Sequence, residues 1–165
     1  MLMSFIQSFP PLLYEDSRIL ILGSMPGVIS LEENQYYAHP RNHFWRILYS
    51  LLDESLEHDY DARKRFLREK GIGLWDVLHS CVREGSLDTS IRNESVNDLR
   101  SILGTHPNIR AVFFNGAKAA ETFRKKVGFT FDNIAFIQLP STSPAYTIPY
   151  EEKLEKWKVI KEYLC

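Results

Sequence analysis

The stretch RILILG, residues 18–23, decides how this chain folds. It is short and almost wholly apolar, and a turn rich in proline and glycine follows it directly. A strand that is covered on both faces has this pattern, because neither of its faces meets water. We therefore expect a central strand here that ends at Gly23.

The apolar spacing further along the chain predicts helices that alternate with strands. From Phe44 the apolar residues recur at the i, i+3, i+4 and i+7 positions of an amphipathic helix, with Asn42 at its cap. Ser95 is the predicted cap of a later helix that carries Val96 and Leu99. The other expected elements are a helix over 59–70 closed by Gly71, a strand or strand edge over 73–78, strands over 109–114 and 134–139, a helix that opens at residues 115–117, and a closing helix with Leu154, Trp157, Ile160 and Leu164 on its apolar side.

Strands that alternate with helices over this length predict a three-layer α/β/α fold with a mainly parallel four-stranded central sheet. The length of 165 residues, 44% of them hydrophobic, fits one domain over residues 1–165 with a continuous core. In parallel sheets, ligands bind at the carboxyl ends of the strands. The loops that follow Gly23, Asp76, Phe114 and Leu139 are therefore expected to meet at one site.

Composition excludes several classes of protein. The two cysteines, Cys81 and Cys165, have neither metal-site spacing nor a paired framework. This favours a reducing compartment and gives no indication of a zinc site or an iron–sulfur cluster in the protein. Residues 1–18 are too broken by prolines and polar residues for a signal peptide, and no apolar run approaches the roughly 20 residues of a membrane helix. We expect a soluble, cytoplasmic monomer. The formal charge of −1 gives only weak support for binding nucleic acid.

Three loops and one strand carry the motifs that point to function. They are GSMPG at 23–27, YYAHPRNHFW at 36–45, VFFNGAKA at 112–119 and LPSTSPA at 139–145. In this order they resemble the signature segments of the uracil-DNA glycosylase superfamily, and the second and last look most like its deoxyinosine (hypoxanthine) glycosylase branch. The resemblance spans nearly the whole chain. It implies an enzyme that flips a deaminated base out of DNA into a pocket and removes it.

The resemblance assigns the wall of the base pocket to the first turn and to an aromatic side chain. Tyr37 is expected to stack on the flipped base, since a ring offers contact area to any base. The alternative is that Tyr37 is a half-buried loop aromatic. Gly23 either lets the chain approach the ligand closely or only satisfies the turn. The expected pocket residues are Gly23, Ser24, Met25, Pro26, Tyr37, Asp76 and Asn115.

Asn42 is the expected catalytic residue. Cleavage of an N-glycosidic bond develops positive charge on the sugar and negative charge on the leaving base, and an amide can orient water or stabilise one of these charges. The alternative role of Asn42 is to cap the helix at Phe44. Two departures from the superfamily shift the chemistry to Asn42. Met25 stands where many members have Asn or Asp to position water, and Leu139 where several have histidine.

Two further groups of residues are expected to contact the base and the DNA. Asp76 lies near the place where members of the superfamily have a base-reading amide, and its carboxylate could accept N1–H of hypoxanthine or N3–H of uracil; a cap is the alternative. The loop after the last strand is expected to hold the DNA backbone and offer an apolar wedge, or else to be an ordinary turn. The expected DNA contacts are Ser141, Thr142, Ser143 and Tyr146.

The sequence thus predicts a monofunctional DNA glycosylase of base excision repair that favours hypoxanthine, also removes uracil, and has xanthine as a further substrate. No lysine in the signature loops is placed to form a Schiff base. No metal or cofactor is expected, since His39 and His43 lack a third ligand. The near-neutral charge predicts modest affinity for DNA with a shallow salt dependence. The alternatives are a non-catalytic module that binds nucleotides or damaged DNA, and a nucleoside hydrolase.

Overall fold

The computed structural model describes residues 4–164. Cys165 and the first three residues of the N-terminal segment lie outside the described residues. In chain order the elements are β1 (Ser4–Gln7), β2 (Ile19–Gly23), α1 (Val28–Glu33), α2 (Phe44–Leu51), α3 (Tyr60–Lys70), β3 (Ile72–Asp76), β4 (Leu78–Arg83), β5 (Arg92–Val96), α4 (Leu99–Thr105), β6 (Ala111–Asn115), α5 (Ala117–Lys126), β7 (Ala135–Leu139) and α6 (Tyr150–Trp157). Short 3₁₀ helices occupy Asp88–Ser90 and Lys158–Tyr163.

The strand β2 lies inside a parallel four-stranded sheet with the order β3-β2-β6-β7. Ile19 pairs with Ile72 on one side and with Ala111 on the other, and Ala111 pairs in turn with Ala135. Because the four strands run in the same direction, their carboxyl ends lie along one edge of the sheet. The predicted α/β class with a parallel central sheet is confirmed.

The side chains of β2 alternate between two apolar cores, one on each face of the sheet. Ile19 and Ile21 pack on one face against residues of α2, α3 and α6, whereas Leu20 and Leu22 pack on the other against α4 and α5. All four are completely buried, and each such burial stabilises the fold by about 1.5–3 kcal/mol. The sheet is therefore the middle of three layers, as residues 18–23 predict.

The helix α3 begins and ends close to the predicted positions. Asp59 accepts a hydrogen bond from Ala62 N at 3.0 Å at the start of α3, and Gly71 closes it with a left-handed φ of 76°. The closing helix is α-helical only to Trp157 and then tightens into a 3₁₀ helix, with Trp157 and Ile160 buried. Within residues 4–164, no helix is both long and apolar enough to cross a membrane.

A second, antiparallel sheet with the order β1-β4-β5 is a feature that the apolar spacing did not predict. The predicted strand over 73–78 divides, because β3 ends at Asp76 and the chain turns at Val77 into β4. In the second sheet Ile6 pairs with Cys81, which is buried. This sheet lies beside the carboxyl edge of the first.

The predicted helix cap at Ser95 is wrong. Ser95 lies within β5, where its hydroxyl is 2.6 Å from that of Ser80 on β4. The helix α4 begins only at Leu99, and Asp98 caps it by accepting from Ser101 N at 3.2 Å. The spacing of Val96 fits a helix equally well, but Val96 is the last residue of the strand and its side chain packs in the second sheet.

Candidate active site

The loops at the carboxyl edge of the parallel sheet are tied to one another by hydrogen bonds. Asn115, at the end of β6, donates from Nδ2 to Thr142 Oγ1 and accepts from Thr142 N, both at 2.9 Å. Thr142 O accepts in turn from the backbone N–H of His43 at 3.0 Å. The loop after β7 is thus fixed against both the end of β6 and the start of α2, so these loops do meet as the parallel topology predicts.

These contacts show which of the expected site residues keep a free side chain. The sequence led us to expect a DNA contact at Thr142. Its side chain, however, is completely buried and is bonded to Asn115, so it is not available to DNA. Ser24 donates its hydroxyl to Asp88 Oδ1 at 2.6 Å. Met25 packs into the core of the second sheet. The first turn therefore offers its backbone rather than its side chains to the site.

Tyr37 is both a packed aromatic and a wall of the site. Its ring stacks on the buried Phe44, with 3.9 Å between centroids and 20° between planes, and it also lines an open cleft. Its backbone has a φ of 53°, a left-handed conformation that costs a residue other than glycine about 1–2 kcal/mol. The two sequence interpretations are therefore compatible, since Phe44 holds one side of the ring while the residue faces the cleft.

Tyr37 and Asp76 enclose a small polar notch beside Gly23. A Cβ added at Gly23 would lie 2.6 Å from Asp76 Oδ1 and 3.0 Å from the Tyr37 hydroxyl oxygen, so close approach is what requires glycine here. Asp76 Oδ2 is buried without a hydrogen-bond partner among residues 4–164, and the buried Tyr37 hydroxyl, which lies near the Asn115 side chain, makes no hydrogen bond of normal geometry there. Each such atom costs about 1–3 kcal/mol. The notch therefore suits a ligand with a polar edge. The alternative role of Asp76 as a cap is not seen, because its side chain caps no helix or turn within residues 4–164.

Asn42 holds the start of α2 and also lines the cleft. Its Oδ1 accepts from the backbone N–H of Phe44 at 2.9 Å, although the residue in the cap position of α2 is His43, one later than predicted. Its amide nitrogen has no hydrogen-bond partner within the described part of the chain, and Asn42 lines the same cleft as Tyr37. The oxygen thus serves the helix while the N–H₂ group is left for a ligand.

The cleft beside Tyr37 and Asn42 has a volume of about 940 Å³ and a cationic lining. Its basic residues are Arg41, Arg46, Arg63 and Lys153 against the single acid Glu33, with His39, His43 and His58 beside them. Burial, and then the charges of Lys153 and Arg46, lower the pKa of His43, so its ring is neutral at pH 7. The formal charge of the whole chain conceals this local excess of positive charge, which suits a polyanion.

Lys153 is a residue of this cleft that the sequence analysis missed. Its side chain is 0% exposed, and Nζ donates to Ser143 O at 3.2 Å in the loop after β7. Burial lowers the pKa of this ammonium group. A signal was present in the sequence, because Lys153 falls on the apolar stripe of α6 with Tyr150 and Trp157. A cation on such a stripe indicates a structural or functional partner.

The end of β4 and the loop that follows it, residues 84–91, hold the first turn in place by hydrogen bonds. The buried guanidinium of Arg83 donates from Nη2 to Pro26 O, and Asp88 holds the hydroxyl of Ser24. These contacts went unpredicted because the second sheet itself was not foreseen. The turn that borders the polar notch is therefore positioned by the second sheet as well as by β2.

The arrangement can bind a flat heterocycle attached to a polyanion. Tyr37 supplies a ring face, the polar notch supplies buried acceptors and a hydroxyl, and Asn42 supplies amide donors where charge could develop. Among residues 4–164, no cluster of His, Cys, Asp and Glu could hold a metal ion. The side chains at the site can thus position a base and a water molecule by hydrogen bonds and stacking.

Comparison with known proteins finds relatives that are named as DNA glycosylases. The profile of the Uracil DNA glycosylase superfamily matches residues 10–164. The chain is 45% identical over 116 residues to the hypoxanthine DNA glycosylase of Methanosarcina barkeri, which covers 70% of this chain and 73% of that protein. It is 35% identical over 155 residues to the hypoxanthine DNA glycosylase of Methanosarcina acetivorans, with coverages of 93% and 96%.

A solved structure agrees over the full length of the fold. The solution NMR structure of a protein from Methanosarcina acetivorans, proposed to be a uracil DNA glycosylase, matches with a TM-score of 0.85 and 33% sequence identity. The match covers 98% of this chain and 99% of that one.

Proposed function

The chain belongs to the uracil DNA glycosylase superfamily, and we propose that it hydrolyses the N-glycosidic bond of deaminated bases in DNA, with hypoxanthine favoured over uracil and xanthine. The relatives named hypoxanthine DNA glycosylase support the reaction. The observation that carries the proposal is the juxtaposition of Tyr37 and Asn42 on one cationic cleft. A base flipped from the duplex would find there a stacking face and an amide, with its backbone among cations.

In this reaction the bond between C1′ and the base nitrogen breaks, and the base takes the electron pair. Water adds to C1′ to leave an abasic sugar, and a proton reaches the departing base. The free amide donors of Asn42 would stabilise the charge on the leaving base or hold the attacking water. Tyr37 would fix the plane of the base, and the polar notch would meet its polar edge.

The DNA backbone would lie along the cleft and the loop after β7. Ser141 and Ser143 are half-buried in this loop, and Tyr146 is 47% exposed next to them. An exposed ring at the rim of a base pocket suits a wedge that fills the vacated stack. Lys153 would hold the loop through the Ser143 carbonyl. We therefore propose Ser141, Ser143 and Tyr146 as DNA contacts, and keep Thr142 as a tie within the loop.

Several finer features remain proposals. We propose that the 165 residues form a single domain and that the enzyme acts as a monomer in the cytoplasm, without a metal or cofactor. We also propose that it is monofunctional and leaves the abasic site uncut. Lys153 supports this last point, because its amine is buried and bonded to Ser143 O rather than free to attack C1′.

The reaction can be tested with duplex oligonucleotides that carry a single hypoxanthine, uracil or xanthine. We expect excision in the presence of EDTA, fastest on hypoxanthine, with strand cleavage appearing only after alkali reveals the abasic sites. Free deoxyinosine should not be cleaved, because it lacks the backbone that the cationic cleft binds. Cleavage of the free nucleoside would favour a nucleoside hydrolase. Binding without excision would favour a non-catalytic module, and rescue of an EDTA-inactivated enzyme by zinc or magnesium would show that a metal is required.

The affinity for undamaged duplex should fall only moderately with salt. Each neutralised phosphate contributes about −0.9 to the slope of log K against log salt. Lys153 is buried against Ser143 O, so the three arginines of the cleft set a slope of about −3. Arg41→Ala should reduce its magnitude by about one. Arg124→Ala, which changes an exposed arginine on α5 outside the cleft, should leave it unchanged. Fluorescence anisotropy titrations at several salt concentrations measure both, and equal effects of the two variants would count against the cleft as the DNA surface.

A further inference from the structure

Asp76 is a buried acid without the partners that normally keep a buried carboxylate charged. Its side chain is 4% exposed, and Oδ2 has no hydrogen-bond donor within the described residues. Oδ1 lies beside Gly23, at the end of the neighbouring strand β2. An ionised carboxylate is strongly disfavoured when it is removed from water without paired donors. The surroundings of Asp76 therefore favour its neutral form.

A second acid, the exposed Asp88, lies close enough for its charge to act on Asp76. Asp88, in the loop between β4 and β5, is held in place by the hydroxyl of Ser24 at 2.6 Å. The nearby cation, Arg83, directs its guanidinium to the carbonyls of Pro26 and Gly85 rather than to either acid. Burial raises the pKa of Asp76 to about 7, and the charge of Asp88 raises it further than Arg83 lowers it. The other titratable groups near Asp76, Tyr36 and Tyr37, are phenols whose pKa values burial raises.

We propose that Asp76 reads the flipped base as a neutral carboxylic acid, and that Asp88 is a positioning residue that keeps it neutral. This inference rests on the proposed function of the cleft. A neutral carboxyl group has one O–H donor and one carbonyl acceptor. Hypoxanthine and uracil both present a carbonyl next to a ring N–H, so the acid would donate to the former and accept from the latter.

The charged form would recognise these bases poorly. A carboxylate only accepts hydrogen bonds, so it would bind the ring N–H while repelling the neighbouring carbonyl oxygen. An asparagine side chain, in contrast, offers a donor and an acceptor at every pH. Asp76→Asn is therefore a permanent copy of the neutral acid, and it makes the protonation state of Asp76 testable.

The experiment measures the affinity for a duplex with 2′-fluoro-deoxyinosine, whose fluorine slows bond cleavage, between pH 5.5 and 8.5. Wild-type affinity should be constant below about pH 7 and weaken by up to tenfold per pH unit above it, because Asp76 must gain a proton to bind. Asp76→Asn should bind equally well over the whole range. Asp88→Asn keeps an acceptor for Ser24 but removes the charge, so the decline should begin at lower pH.

A second readout does not depend on DNA. The penalty for burying Asp76 is absent below its unfolded pKa of 3.8, where both states are protonated, and is fully present above about pH 7. The thermal midpoint of Asp76→Asn should therefore rise relative to wild type as the pH increases from 4 to 7. A constant difference between the two proteins would overturn the buried neutral acid.

The outcomes separate this inference from the proposed function. Wild-type affinity that follows the expected pH dependence without any excision of hypoxanthine would overturn the glycosylase reaction and support the neutral acid. Excision by a wild-type enzyme whose decline in affinity persists unchanged in Asp76→Asn would leave the reaction standing and overturn the inference. Weak binding by Asp76→Asn at every pH, with wild-type binding that improves as the pH rises, would show that Asp76 acts as a carboxylate.

Discussion

Replacing Asn42 with alanine should lower the single-turnover rate of hypoxanthine excision by about 10²–10³, the usual loss when one donor to a developing charge is removed. Binding of the hypoxanthine duplex should change little, because the lost interaction belongs to the transition state. The same change should lower the free energy of unfolding by about 1 kcal/mol, since Oδ1 no longer accepts from Phe44 N. Rapid-quench kinetics and thermal melts on one preparation measure both effects.

Two matched variants separate the oxygen of Asn42 from its nitrogen. Asn42→Asp and Asn42→Ser keep an acceptor for the start of α2 and should melt close to wild type. Both lack the amide donors, so both should excise hypoxanthine nearly as slowly as the alanine variant. Near wild-type excision by the serine variant would mean that Asn42 is only a cap. The chemistry would then have to be sought at Asp76 or in the loop at 141–143.

Replacing Tyr37 with alanine should weaken binding of the flipped base by about 1–3 kcal/mol, the usual value of one base stacked on a ring. This corresponds to roughly a 5- to 150-fold loss of affinity. Tyr37 also stacks on the buried Phe44. We therefore also expect a loss of about 0.5–1.5 kcal/mol of stability beyond the area lost.

Tyr37→Phe is the control that keeps the ring. It removes a buried hydroxyl that makes no hydrogen bond of normal geometry among residues 4–164, so its stability should equal or exceed that of wild type. Its affinity for a hypoxanthine duplex should stay within a few-fold of wild type if stacking is the role of Tyr37. Equilibrium titration of the folded fraction decides the matter. An alanine variant that melts early yet binds normally once folded would show that Tyr37 is a packing residue alone.

The parallel sheet was predictable because its inner strand β2 has no solvent face. Residues 18–23 are continuously apolar, and a pattern of this kind fits few structures other than a strand buried on both sides. The parallel direction then places Gly23, Asp76 and Asn115 at one edge without further information. The candidate site could be located for the same reason, since Tyr37 and Asn42 lie in the loop that follows β2 and α1.

The second sheet was not predictable by the same reasoning. Its strand β5 is mostly exposed, and Val96 fits the spacing of the helix that follows as well as it fits a strand. The support of the first turn by Arg83 and Asp88 depends on this sheet and so was missed with it. The protonation of Asp76 depends on burial and on Asp88, which is 12 residues away in the chain, and no local pattern reports such a contact.

Positive and negative charges are unevenly distributed over the molecule, so the electric field of a polyanion would orient it. The chain carries 20 Lys and Arg residues against 21 Asp and Glu residues, but its cleft has four basic residues and one acid. The excess of acid therefore lies in the rest of the chain. For the proposed DNA surface this means that a duplex approaching another side would meet weak repulsion and that diffusional encounters would be steered towards the cleft. Because few phosphates are neutralised, each encounter is brief, and the protein can sample many base pairs before it opens one.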